Sequence, residues 1–313
     1  MPTVPQGGKV LVSGANGYVA MWTAKILLER GYRVRGDALT DECNQDGAFD
    51  EVVKDVDAIE HMASPAYFDA RDPQEILGPA IQGTVGMLKS AVEHAPKVNR
   101  IVITSSTAAI MTPNLSEPRV FSEKDWNEAS PKEVEELGSK AAGTTVYRAS
   151  KSLAERAAWE FYNQHKSQVS WDLTVFGPPI HDVASPKSLN SSLQTWYNLV
   201  VSESPKAKET LSQSAGWVDV RDTAFAHVLA LEKEAAGGER ILLTSVNVVN
   251  NLTPNPLPSH KLTLGYPEIL QQNTILASYD KSKEERILGI KFKTMEETAR
   301  DTLEDFARRG WCD

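Results

Sequence analysis

Cysteine is almost missing from this chain: its 313 residues hold two, Cys43 and Cys312. Thiols that far apart support neither a disulfide framework nor a zinc knuckle. Histidine is thin as well, six residues with no His-x3-His pair, so no metal site is expected. No run of Lys or Arg exceeds two residues and the formal net charge is −9. That balance disfavours nucleic acid and anionic membrane surfaces as partners. No apolar run has the length of a membrane span, and residues 1–9 are short, polar and run straight into a strand. Neither a signal peptide nor a spanning segment is therefore expected, and the expected compartment is the reduced cytoplasm.

What remains is a soluble core-builder. Hydrophobic residues make up 41% of the sequence, enough for one large α/β domain or for a domain with a C-terminal appendage. Lys9–Ser13 reads as a buried strand, Tyr18–Arg30 as a helix stopped by Gly31, and Tyr32–Arg35 as the start of a second strand. Ala48–Lys54 reads as a short helix, Ala58–Ala63 as a strand, Pro73–Ala95 as a long amphipathic helix and Arg100–Thr104 as a strand. A helix is expected over Ala149–His165, beginning just after Tyr147. Further on, Gly216–Val220 and Arg240–Thr244 read as strands around a helix at Asp222–Lys233. Asn247–His260 reads as a loop and Lys281–Gly310 as one or two closing helices. Strands alternating with helices predict a Rossmann-type, doubly wound parallel sheet with a smaller C-terminal substrate lobe. The expected division is a dinucleotide-binding part over 1–175, completed by elements of 216–250, and a lobe over 176–313.

The first chemical signal is the turn Gly14-Ala15-Asn16-Gly17-Tyr18-Val19-Ala20, a G-x-x-G-x-x-A pattern between strand and helix. Gly14 permits a sharp bend, Gly17 lets backbone approach a pyrophosphate, and Ala20 keeps the helix close to the sheet. An ordinary βα turn carrying glycines by chance is the bland alternative; the flanking strand and helix favour a dinucleotide site. The end of the second strand chooses between nicotinamide forms, an acid for ribose hydroxyls and a base for a 2′-phosphate. Arg33 and Arg35 point to NADP and Asp37 to NAD, with NADP preferred.

The second signal is Tyr147 four residues before Lys151, with Ser105-Ser106 closing the apolar run Ile101-Val102-Ile103. Reduction of a carbonyl needs an acid at oxygen while hydride reaches carbon. A phenol can serve if a lysine one helical turn away makes it more acidic. A serine at a strand's carboxyl end can hold the carbonyl oxygen. Ser106, Tyr147 and Lys151 fill these roles. Each pairing occurs by chance in many proteins; the order behind the glycine turn is what gives it weight. Asp219, Arg221 and Asp222 read as a salt-bridged corner and helix cap rather than a substrate contact. Trp126 and Trp196 could line a pocket or pack the core, and His61 reads as structural.

These residues together resemble the extended short-chain dehydrogenase/reductases. Within them the chain is similar to the branch of dihydroflavonol, cinnamoyl-CoA and yeast methylglyoxal reductases, fungal members above all. The pieces are Val12–Gly17, His61–Pro65, Val102–Ser106, Tyr147–Lys151, Phe176–Pro179, Gly216–Asp222 and Lys283–Lys291, nearly the whole chain. The resemblance implies an NADP(H)-dependent reductase of a small ketone or aldehyde. Ser106 would orient the carbonyl, Tyr147 would be the acid, and Lys151 would tune it and grip the ribose. Ala63, Ser64, Val175 and Ser192 would lie against the cofactor. A monomer or homodimer is expected.

Two departures stand out. After Gly36 about 25 to 30 residues of the family's pattern have no counterpart, on the order of one crossover. At Asp172–Gly177 about six to eight are absent, roughly a strand's length. Those losses leave open a weak or inactive nucleotide-binding relative. A nucleotide-sugar epimerase or dehydratase shares the same Ser/Tyr/Lys chemistry; the contexts Ala63-Ser64-Pro65 and Phe176–Pro179 favour the reductase.

Overall fold

The structure is a computed structural model, and it describes residues 3–38, 45–65, 70–177, 197–198, 201, 216–244 and 276–311. Its centre is a six-stranded sheet built from β1 (Lys9–Ser13), β2 (Arg33–Asp37), β3 (Ala58–His61), β4 (Arg100–Thr104), β6 (Asp172–Gly177) and β7 (Arg240–Leu242). The order is β2-β1-β3-β4-β6-β7 and every pairing is parallel. A short parallel pair, β5 (Arg119–Phe121) with β8 (Ala277–Tyr279), lies outside it. Parallel strands need covering on both faces, and the sequence alternation supplies two apolar sides. Val10, Val12, Ala58, Val102 and Phe176 pack toward one layer, together with Ala20 and Leu27 of α1 (Tyr18–Glu29) and Ala226 and Leu229 of α5 (Val220–Glu232). Leu11, Ile59, Ile101, Leu173 and Val175 pack toward the other, with Met87 and Leu88 of α2 (Gln74–His94) and Ala158 of α4 (Gly143–His165). Between α2 and α4 lies α3 (Ala129–Leu137), and α6 (Ser282–Leu288) and α7 (Met295–Arg308) close the described chain.

Several local expectations need correcting. The helix carrying Tyr147 starts at Gly143, not at Ala149, so both Tyr147 and Lys151 lie inside regular helix. Thr145 and Val146 are buried there, and tertiary packing outweighs the weak helix preference of Gly143-Thr144-Thr145. Ala48–Lys54 forms hydrogen-bonded turns instead of a helix, seated on the sheet by Phe49 and Val53. Gly216–Val220 is not a strand: Asp219 caps α5 by accepting from the Arg221 N–H at 2.8 Å, and Val220 is already helical.

The two shortened regions have different outcomes. Beyond β2 no further strand is paired among the described residues, so β2 is an edge with Arg33 and Gly36 exposed. The described part of the connection to β3, residues 45–57, runs through turns, as the loss of a crossover predicts. At β6 the sheet is complete: Asp172–Gly177 spans the position and pairs with β4 on one side and β7 on the other. The residues expected to lead out of a missing strand are themselves the strand, because every side chain in the run finds a buried place.

Buried charge ties the layers together. Arg100 opens β4 and is fully buried, with its Nε 2.5 Å from Asp172 Oδ1 and its Nη2 2.9 Å from Asp172 Oδ2. Its remaining nitrogen donates to the carbonyls of Ala230 and of Lys233, the latter at 2.7 Å, so one guanidinium joins β4, β6 and the end of α5. Deeper still, Glu60 and His227 share a 2.7 Å hydrogen bond with no exposure. Burial pushes the Glu60 carboxyl well up and the His227 imidazole down to about 3, so the pair is neutral.

Candidate active site

The chain leaves β1 toward β2 on one side and returns to β3 on the other, which opens a crevice at the carboxyl ends of β1 and β3. Ser13, the last residue of β1, braces it. Its Oγ accepts from the N–H of Met62 at 3.1 Å and of Ala63 at 3.2 Å, and lies 2.8 Å from His61 Nδ1. With both lone-pair directions used, the Ser13 proton goes to Nδ1 and the imidazole carries its own proton on Nε2. Burial, then the charge of Lys151, lower the His61 pKa to about 4. This neutral, hydrogen-bonded ring is the structural part that the sequence assigned to it.

Gly14 follows at φ +65°, a left-handed conformation that side chains strain against. A Cβ there would stand 2.9 Å from Ala63 Cα and 3.0 Å from Ala63 N, so the bend and the β3 end touch backbone to backbone. Gly17 precedes α1 at φ −79° without a side-chain cap, which leaves the positive end of the helix facing the crevice. The arrangement fits a pyrophosphate. Substituting Gly14 by Ala is expected to weaken dinucleotide binding at least about tenfold, the equivalent of about 1.4 kcal/mol. Fluorescence titration of NADPH measures it, and unchanged affinity would show that the bend does not form the site.

Ala15 N–H donates to Asp37 O at 2.9 Å, which places the end of β2 beside the glycine turn. Asn16 is exposed at the tip, Tyr18 and Val19 begin α1, and Val19 is buried. Burial, followed by the charge of Asp219, raises the Tyr18 phenol to about 12. Asp37 is half-buried and burial raises its carboxyl pKa. Arg35 is drawn elsewhere: its Nη1 donates to the carbonyls of Val52 at 2.8 Å and Lys54 at 2.6 Å. It holds the turns of the shortened crossover to β2. Val175 has no exposure and belongs to the buried cluster that holds Ile59, Ile101 and Leu173, paired in the sheet with Ile103. Ser192 and Trp196 lie outside the described residues, as do Cys43 and Cys312.

Across the sheet, Ser106 extends from the end of β4 and accepts from the Ala108 N–H at 3.1 Å. Its side chain neighbours the Tyr147 phenol and acts to lower that phenol's pKa. Lys151, one turn further along α4, sets its Nζ 5.9 Å from the Tyr147 ring centroid. All three side chains are buried. His61, Ala63, Ser64, Thr104, Ser105 and Lys151 line one small cleft, so the glycine-turn side and the Ser/Tyr/Lys side meet. Burial moves the Lys151 pKa down to about 8, opposed by Glu155. The Tyr147 phenol is displaced upward, by burial more than Ser106 lowers it. The sequence-based expectation of an acidified phenol thus reverses in this enclosure, and Tyr147 keeps its proton at neutral pH, the form a proton donor requires.

The corner at Asp219 is structural, as expected. Arg221 Nη2 sits 2.6 Å from Asp219 Oδ2, its Nη1 2.5 Å from Asp301, and Thr298 donates to Asp219 at 2.7 Å. Trp126 is stacked under the guanidinium of Arg240 at 3.7 Å and of Arg156 at 4.6 Å. Sequence reasoning missed Glu155 and Arg240. The spacing Tyr147, Lys151, Glu155, four and four, could have revealed the first; Arg240 arrives from a distant strand. Among the described residues no cluster suits a metal and no helix is long and apolar enough to cross a membrane.

Known proteins share this architecture. The NAD dependent epimerase/dehydratase family pattern matches residues 10–244. The chain is 32% identical to the NADPH-dependent methylglyoxal reductase GRE2 of Saccharomyces cerevisiae, over 94% of this chain and 96% of that protein. It is 30% identical to the cinnamoyl-CoA reductase CAD2 of Medicago truncatula, over 98% of both. The crystal structure of Gre2 from Candida albicans in complex with NADPH superposes with a TM-score of 0.82 at 28% identity, over 97% of this chain and 99% of that one. The alignment with the yeast reductase runs over 337 positions, more than this chain has residues, so the chain is internally shortened relative to it.

Proposed function

The chain belongs to the NAD dependent epimerase/dehydratase family, and from that premise we propose that it reduces a small ketone or aldehyde with NADPH. The carrying observation is the buried set of Ser106, Tyr147 and Lys151, with Ser106 beside the phenol and Lys151 one helical turn from it in the cleft shared with Ala63 and Ser64. The dinucleotide would lie across Gly14, Ala15, Asn16 and Gly17, its pyrophosphate on the N-terminus of α1 and its nicotinamide half toward Ala63 and Ser64. Bound there, the reduced nicotinamide supplies the hydride. Ser106 holds the carbonyl oxygen by hydrogen bond. Tyr147 delivers its phenolic proton to that oxygen as negative charge develops on it. Lys151 contributes a positive charge beside the phenol and a donor for ribose hydroxyls. The lobe within 176–313 supplies the substrate side.

The preference for NADPH is supported by the NADPH dependence of the yeast relative and the ligand of the Candida structure. Arg35 adds no support as placed, since its Nη1 donates to the carbonyls of Val52 and Lys54. Fluorescence titration with NADPH and NADH is expected to give the tighter constant for NADPH. Loss of NADPH absorbance with a panel of ketones and aldehydes tests the reaction. Tight binding of a nucleotide sugar, with no carbonyl reduced, would replace the reductase by the epimerase reading.

The Lys151 pKa sets a pH limit. The amine is protonated below about 8 and neutral above it. Because kcat/KM reports groups of the free enzyme, it is expected to fall as pH rises through about 8. A pH profile at subsaturating substrate reads this; a flat profile to two units higher would separate Lys151 from the chemistry.

A further inference from the structure

Glu155 is nearly as buried as any side chain in the site, at 2% exposure, yet none of the roles above uses it. It follows Lys151 by one turn on α4 and lines the same cleft. Its Oε2 accepts from Ser105 Oγ at 2.5 Å, and its Oε1 accepts from Arg240 Nε at 2.5 Å and Trp159 Nε1 at 3.4 Å. Arg240 is itself fixed, donating to the carbonyls of Glu123 at 2.9 Å and Asp125 at 2.6 Å and stacking on Trp126. Three donors from three parts of the fold therefore converge on one carboxylate.

We propose that Glu155 is a positioning residue of the reaction: it clamps the Ser105–Ser106 strand end onto helix α4 and sets a fixed negative charge beside Lys151. The inference rests on the carbonyl-reductase reading. The clamp matters because Ser105 and Ser106 are adjacent in extended backbone, so holding Ser105 on α4 holds Ser106 against Tyr147 on the same helix. A misplacement of about 1 Å in such a pair costs on the order of a hundredfold in rate. The charge matters because burial strips Lys151 of solvent, and Glu155 is the group that opposes the resulting loss of its proton. The other groups facing Lys151 are Tyr147 on its own helix and His61 on β3, the latter held neutral; Arg240 is paired with Glu155. Arg240 comes from β7, so the clamp also couples the far edge of the sheet to the site.

Glu155→Gln keeps the shape and removes the charge; Ser105→Ala keeps the charge and removes the clamp. With the full-length protein, NADPH and a reducible carbonyl, both variants are expected to lose kcat on the order of tenfold or more. Only Glu155→Gln is expected to move the alkaline limb of the pH profile, toward lower pH by about one unit. Loss of kcat without that movement, in both variants, would make Glu155 merely structural and overturn the proposal, as would unchanged kcat. A second readout needs no turnover: the pH dependence of Lys151 acetylation by trace acetic anhydride, read by peptide mass spectrometry. Glu155→Gln is expected to lower its midpoint by a similar amount. An unmoved midpoint sinks the positioning role even if the protein reduces carbonyls, and a moved midpoint in a protein that reduces none sinks only the reductase reading. If Glu155→Gln does not fold, the Ser105→Ala variant decides through kcat, with unchanged kcat counting against the clamp.

Discussion

Tyr147→Phe is expected to abolish carbonyl reduction while leaving NADPH binding in place. The phenol ring is 4% exposed and sits in a helix packed on α2 and α3, so Phe retains the apolar contacts and the fold. What disappears is one oxygen and its proton. Ser106 loses the neighbouring phenol oxygen but keeps the Ala108 N–H. Removing a positioned general acid costs about 100- to 10,000-fold, and little else in the site has a proton to give. Lys151 holds a proton near neutral pH but lies one turn below the phenol, and His61 has no charge to shed. The measurement is steady-state kcat with NADPH, alongside fluorescence titration of the cofactor and a thermal melt. Turnover within a factor of a few of the parent would remove Tyr147 from the chemistry. A lost melt would instead mark a packing role.

Arg100→Met is expected to cost about 3–5 kcal/mol of stability, the penalty for removing one partner of a buried ion pair. The guanidinium has no exposure and Asp172 has 2%. Without it, the carboxylate of Asp172 and the carbonyls of Ala230 and Lys233 would face an apolar side chain. Space is tight enough that a Cβ on Gly237 would come within 2.2 Å of Asp172 Oδ2, so water cannot readily take over the lost contacts. For a domain of this size the melting temperature should drop by roughly 10 °C. Pairing the change with Asp172→Leu should recover much of the loss, because two apolar residues of similar volume leave no buried charge. A single variant that melts like the parent would mean that the pair contributes nothing net. A double variant no better than the single would mean that the carbonyls, not the carboxylate, carry the cost.

The elements were legible because their signals are local. Lys9–Ser13 and Arg100–Thr104 match β1 and β4, since three or four apolar or β-branched residues in a row favour a buried strand. The start of α4 was not legible. Gly143-Thr144-Thr145 has weak helix preference, and its packing against α3, Thr145 to Glu133 at 3.2 Å, depends on a segment remote in pattern. The destination of Arg35 was hidden for the same reason. Two arginines on a strand end look like phosphate ligands until a shortened crossover brings the carbonyls of Val52 and Lys54 within reach. The direction of the Tyr147 shift was likewise invisible. Spacing reports that a cation is near, whereas desolvation depends on how fully the rest of the fold closes over the ring.

By itself the sequence determined β1, α1, β2, β3, α2 and β4 and the glycine bend, and it pointed to the Ser/Tyr/Lys set, through short local patterns. Only the tertiary structure decided that Arg35 braces a turn, that Val175 is core, and that Asp172–Gly177 completes the sheet. It alone joined Ser105, Glu155 and Arg240. Those outcomes come from pairings between residues 17 or more positions apart, where burial and hydrogen-bond satisfaction over the whole fold, rather than local preference, select the partner.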